Sequence, residues 1–143
     1  MKLQDGVGVT GEVFLVLNGD VVSKRNLVLQ TGKNWIANRM AGAGLGGATH
    51  IAVGTGNRAP DVGDTALQSE VGRKALTVPN GVHNANTVTY ETTFNETEGN
   101  GALVEALLAT AAVGGTAIAR VTFGVITKTD TDLLTVRWVL TIN

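Results

Sequence analysis

Two long runs near the end of the chain restrict the fold more than any other feature. In "TAIARVTFGVI" (116–126), Ala117, Ala119, Val121, Phe123 and Val125 fall on alternate positions. In "DLLTVRWVLTI" (132–142), Leu134, Val136, Trp138, Leu140 and Ile142 do the same. A period of two places these side chains on one face of an extended chain, and a helix cannot gather them. The polar connection "TKTDTD" between the runs predicts a hairpin. A third run, "NTVTYETTF" (86–94), puts Val88, Tyr90, Thr92 and Phe94 on one face and Thr87, Thr89, Glu91 and Thr93 on the other.

The same logic extends upstream. "EVFLVL" (12–17) reads as a strand, and "VVSKRNLVL" (21–29) as its return. Asn18-Gly19 between them is a hairpin signal, because both residues tolerate positive φ. "PNGVHN" (79–84) supplies a second Asn-Gly turn. Residues 49–53 and 73–78 read as further strands, giving seven or eight in all. "TGKNWIANRMAG" (31–42) predicts a short helix. Thr31 is placed to cap it, Trp35, Ile36 and Met40 fall near one face, and Gly42 can end it. "DTALQSEV" (64–71) fits either one helical turn capped by Asp64 or an irregular extension. "ALVEALLATAA" (102–112) favours helix on propensity, though it is short and lies between β segments. Short connections and alternating strands predict a mainly β fold, an antiparallel β-sandwich with one or two short helices. Residues 1–11, with Gly6, Gly8 and Gly11, read as an extended N-terminal arm, and 12–143 as a single sandwich domain.

"IAVGTGNRAP" (51–60) raises the question of a nucleotide. Gly54, Gly56 and Ala59 have the G-x-G-x-x-A spacing of a dinucleotide loop. That motif works only where a helix N-terminus follows the strand. Here Pro60, Asp61, Val62, Gly63 and Asp64 follow instead, with two acids where an anion would sit. A second match, Gly42, Gly44 and Gly47, comes after a helix rather than a strand. With 19 glycines in the chain such matches arise by chance, so a structural turn is the better reading and no cofactor is expected.

Catalytic candidates are sparse. His50 and His83 are the only histidines, and neither has metal-ligand spacing around it. Ser23 and Ser69 lie outside any nucleophile elbow. Asn95, Glu96, Glu98 and Asn100, and separately Asp130 and Asp132, could offer oxygens to calcium, but neither loop has the EF-hand offsets. Glu105 is a lone acid in an apolar run and needs a partner, for which Arg73 and Arg120 are candidates. Trp35 and Trp138 read as core. The sequence therefore predicts neither an enzyme nor a metal site.

Composition narrows the partners. Net charge is −1 and the chain has no basic cluster, which argues against nucleic acid. No apolar run reaches the length of a membrane span and the N-terminus lacks a signal-peptide core, which argues against a membrane. There is no cysteine. Only 16% of residues are charged although 43% are hydrophobic, a surface suited to burial in an assembly.

Four stretches in order resemble the N-terminal domain of bacteriophage tail-collar fibres and related small tail proteins. They are "LVLQTGKNWIANRMAG", "THIAVGTGN", "TALQSEVGRKAL" and the closing "GALVEALLA", "ARVTFGVI" and "LLTVRWVLTIN". The likeness runs from Leu27 to Asn143. It implies a non-catalytic virion structural protein, assembled in the host cytoplasm, acting at the tail or collar in subunit assembly or fibre attachment. A capsid decoration protein and a carbohydrate-binding sandwich module are the alternatives. The expected partners are other copies of the chain, as a dimer or trimer, and other virion proteins.

Overall fold

The computed structural model describes residues 8–143. These residues are mainly β, with two five-stranded antiparallel sheets and one helix. Along the sequence come β1 (Val9–Leu17), β2 (Asp20–Arg25), β3 (Leu27–Val28), α1 (Gln30–Ala41), β4 (His50–Gly54), β5 (Glu70–Ala75), β6 (Val82–Asn84), β7 (Thr87–Phe94), β8 (Gly101–Ala109), β9 (Ala117–Lys128) and β10 (Leu134–Ile142). The first sheet has the order β2-β1-β10-β7-β6, the second β3-β9-β8-β4-β5.

These ten strands include two short ones, β3 and β6, that sequence periodicity did not separate. The expected return strand 21–29 is split at Asn26, whose N–H donates to Gly11 O. Residues 9–11 of the expected arm are the start of β1, with Val9 opposite Ile142. The remainder of that arm, residues 1–7, lies outside the described residues.

The Asn18-Gly19 hairpin is present, with φ of 52° and 87°. On β7 the alternation holds: Tyr90, Thr92 and Phe94 are buried while Glu91 is exposed. Along β9 it fails after Phe123. Val104 of β8 lies between register pairs Leu103–Ile126 and Glu105–Thr122, so β9 carries extra residues there. This bulge shifts the phase. Val125 is turned out at 65% exposure, and Ile126 and Lys128 are buried instead.

The largest correction concerns residues 102–112. Helix propensity favoured α, but Gly101–Ala109 is strand β8, held between β4 and β9. Both of its faces are covered. Ala106 and Leu108 join the main core between the sheets, with Val13, Leu15, Ile51, Phe94, Val136 and Trp138. Leu107 and Ala109 join a smaller cluster with Leu29, Ala52, Leu67 and Ala117. A strand buried on both sides shows no alternation, and its tertiary setting overrides the weak preference of Ala and Leu for helix.

Helix α1 begins at Gln30, with Leu29 rather than Thr31 at the N-cap. The Thr31 hydroxyl donates to Ala117 O on β9. Gly32 makes this close approach possible, since a Cβ there would collide with Ile118 O. Gly42 ends the helix in the left-handed conformation, φ 62°. Trp35 is buried on its inner side, whereas Met40 is 84% exposed.

Candidate functional site

The loop after β4 does wrap an anion, but one supplied by the protein. No helix follows Gly54; residues 55–69 run as irregular chain over the outer face of the second sheet. Beneath them sits the Glu105 carboxylate, fully buried. It accepts hydrogen bonds from the N–H groups of Gly56 (2.8 Å), Gln68 (2.9 Å) and Ser69 (2.8 Å). A Cβ on Gly54 or Gly56 would meet Glu105 Oε2 at 2.5 or 2.7 Å. The glycines of the G-x-G stretch are thus required, and the space that they leave is already filled.

Arg120 completes the arrangement. Its fully buried guanidinium donates from Nε and Nη2 to Glu105 Oε1, from Nη1 to Asp64 Oδ2, and from Nη2 to Arg58 O. Arg58 in turn pairs with Asp64 Oδ1 at 2.9 Å. Burial pushes the Glu105 carboxyl up, but the donors around it, led by Ser69 and Gln68 N–H, outweigh that and hold it below the ordinary glutamate value. Asp64 is lowered in the same way: burial raises it, while the Asp61 N–H and Arg58 more than compensate. Of the two partners weighed for Glu105, Arg120 is the one present. Arg73 instead grips Glu70 and the carbonyls of Ala111 and Gly114.

Several of the other candidates are likewise engaged within the fold. His50 shares a hydrogen bond with the Thr49 hydroxyl, and burial, then the charge of Arg73, lowers its pKa. His83 Nε2 donates to Ala85 O. The loop 95–100 holds a cation of the protein's own. The buried Lys128 ammonium donates to Asn95 O and Asn100 Oδ1, and Glu98 is paired with Lys74. Asp132 accepts from Asn18 and Thr129. Among the described residues no group of three or more His, Asp or Glu side chains is placed to hold a metal ion. No helix among them is long and apolar enough to cross a membrane. The Lys128 site left no trace in the sequence, where that lysine looks like one more hairpin polar residue.

The outer face of the first sheet offers a surface for contact. A groove of about 590 Å³ runs across it, lined among others by Phe14, Val16, Val21, Val139, Arg137 and Glu91. Register puts Phe14 opposite Arg137, Arg137 opposite Glu91, and Val139 opposite Thr89. The threonine face 87, 89 and 93 predicted for β7 is the flank of this groove. Trp35, Tyr90, Phe94, Phe123 and Trp138 are all buried, so Phe14 is the one aromatic ring that the groove has. Comparison with protein-family models, with curated proteins and with solved structures finds no match to this chain.

Proposed function

We propose that the protein is a non-catalytic structural component of a phage virion, at the tail or collar, that works by contact with neighbouring subunits. The observation that carries this reading is the pairing of two features. The buried acids and bases are consumed in fastening loops, and a wide groove lies on an open sheet face where Phe14, Val16, Val21 and Val139 stand among the charges of Glu12, Arg25, Glu91 and Arg137. Such faces suit protein contacts. The ordered resemblance from Leu27 to Asn143 gives the virion setting. A decoration protein on the capsid would use the same face. The carbohydrate-binding alternative is disfavoured by a groove holding one half-buried ring where sugar sites stack on exposed aromatics.

The test is incorporation. Mass spectrometry of purified particles should find the chain, and its absence there refutes the virion reading. A Val139→Lys variant, folded by circular dichroism, should be excluded from particles. Should it enter as well as the wild type, the sheet face is not the contact.

A further inference from the structure

Strand β2 is an open edge of unusual character for a finished protein. β1 pairs with one side of it, and no strand among the described residues pairs with the other. All six residues are exposed, Val21 at 61% and Val22 at 40%. Proteins usually blunt such edges with proline, bulges, charge or brevity. The other outer strands follow that rule. β6 has three residues, β3 has two, and β5 carries Glu70, Arg73 and Lys74. β2 also carries three charges, Asp20, Lys24 and Arg25, but it has six residues and no proline, and its pairing with β1 runs without a register shift. Arg73 and Lys74 of β5 are paired within the chain, whereas Asp20 and Lys24 are not paired among the described residues.

The direction of its free groups follows from the turn. A two-residue loop closes on a hydrogen-bonded pair, here Leu17 with Asp20. Backbone groups of Asp20, Val22 and Lys24 therefore point to β1, and those of Val21, Ser23 and Arg25 point outward. By side chain, Asp20, Val22 and Lys24 share one face, with Lys24 lining a crevice beside Phe123 and Val125 of β9. Val21 and Arg25 lie on the groove side. Neither Asp20 nor Lys24 forms an ion pair among the described residues.

The geometry points to a second copy of this chain as the occupant of that edge, paired antiparallel through β2 about a two-fold axis at Val22. An axis normal to the sheet sets each residue opposite one on the same face, so only registers joining positions of like parity are open. Centred on Val22, Asp20 faces the partner's Lys24 and Lys24 faces the partner's Asp20. The two Val22 side chains meet between these ion pairs, and Val21 and Ser23 exchange main-chain bonds across the axis. Centred on Ser23 instead, Val22 would face a lysine, Val21 an arginine, and Asp20 would lose its partner. Charge thus selects one register. The product is a continuous ten-stranded sheet in which the two outer grooves adjoin at Val21. This goes beyond the virion reading and does not depend on it.

Sedimentation velocity on the purified full chain, from about 1 to 100 µM, should show a monomer–dimer equilibrium. Ser23→Pro removes an outward N–H without touching the β1 ladder and should weaken dimerisation by about tenfold or more. Asp20→Lys should weaken it through two lysine–lysine contacts, and Asp20→Lys combined with Lys24→Asp should restore it. Circular dichroism and Tm identify any variant that fails to fold; if Ser23→Pro does, the charge-reversal pair decides. A wild type that stays monomeric at the top concentration overturns the inference, as does a folded Ser23→Pro that associates normally or a double reversal no better than the single. None of these results bears on incorporation into particles, which tests the virion reading separately.

Discussion

Replacing Glu105 with alanine tests what the buried acid does. In the folded state the substitution strands three backbone N–H groups, of Gly56, Gln68 and Ser69, and leaves Arg120 with Asp64 as its one ion-pair partner besides the Arg58 carbonyl. Removing one partner of a buried ion pair costs about 3–5 kcal/mol. Each buried donor left unpaired costs about 1–3 kcal/mol, less where water can enter. Loop 55–69 is at the surface and can admit water, so we expect a loss of about 4 kcal/mol, a large share of the roughly 5–15 kcal/mol typical of a domain. The informative companion is Glu105→Ala with Arg120→Met. If the charge pair were the whole effect, removing both charges would recover nearly all the stability. The geometry says otherwise, because the three N–H groups stay unpaired, and a deficit of about 2 kcal/mol should remain. Urea unfolding followed by tryptophan fluorescence measures both. A loss under about 1 kcal/mol for Glu105→Ala would refute the fastening role. Full recovery in the double variant would refute the part assigned to the backbone donors.

Two further outcomes follow from the same structure. Glu105 and Asp64 have carboxyls held below their ordinary values when folded, so their stabilisation is present above the unfolded pKa and lost as pH falls through the folded one. The urea midpoint should therefore drop as pH is lowered from about 5 to 3, and drop less in Glu105→Gln; equal drops would deny Glu105 a share. Trp138 is fully buried in the main core, with its Nε1–H donating to Asn26 Oδ1 at 3.0 Å, so Trp138→Ala should cost about 3–5 kcal/mol by the same assay. A value under about 1 kcal/mol would mean that the core does not depend on it.

The strands that face water on one side were legible in the sequence, because burial there writes a period of two. β7 and β10 are of this kind, and the Asn18-Gly19 turn marks its own hairpin. β8 was not legible. Covered on one side by the main core and on the other by Leu67 and the loop above it, it is Ala- and Leu-rich on both faces with Glu105 the one charge, and such a run looks like helix. The β9 bulge was hidden for a related reason: Val125 keeps the alternating pattern in sequence although its strand has shifted phase. At the site, the sequence identified Glu105 as an acid needing a partner and included Arg120 among the two choices. It did not reveal that Gly54 and Gly56 serve the same carboxylate. Two glycines and a glutamate some fifty residues apart become one unit only when β4 lies beside β8, with Gly54 opposite Glu105.

The pairing of β1 with β10 fixes the order in which the molecule can be completed during synthesis. Every strand of the second sheet, β3, β4, β5, β8 and β9, precedes β10 in the chain. That sheet can assemble while β10 is still within the ribosome. The β1–β2 hairpin lacks its main partner in that interval, since its neighbour on one side, β10, follows every other described strand in the chain. Until β10 inserts between β1 and β7, Val13 and Leu15 have no finished core to enter. A nascent chain paused before β10 is made would therefore expose β1, an apolar strand made well before it, which makes that interval one in which chaperone binding or misassembly would act.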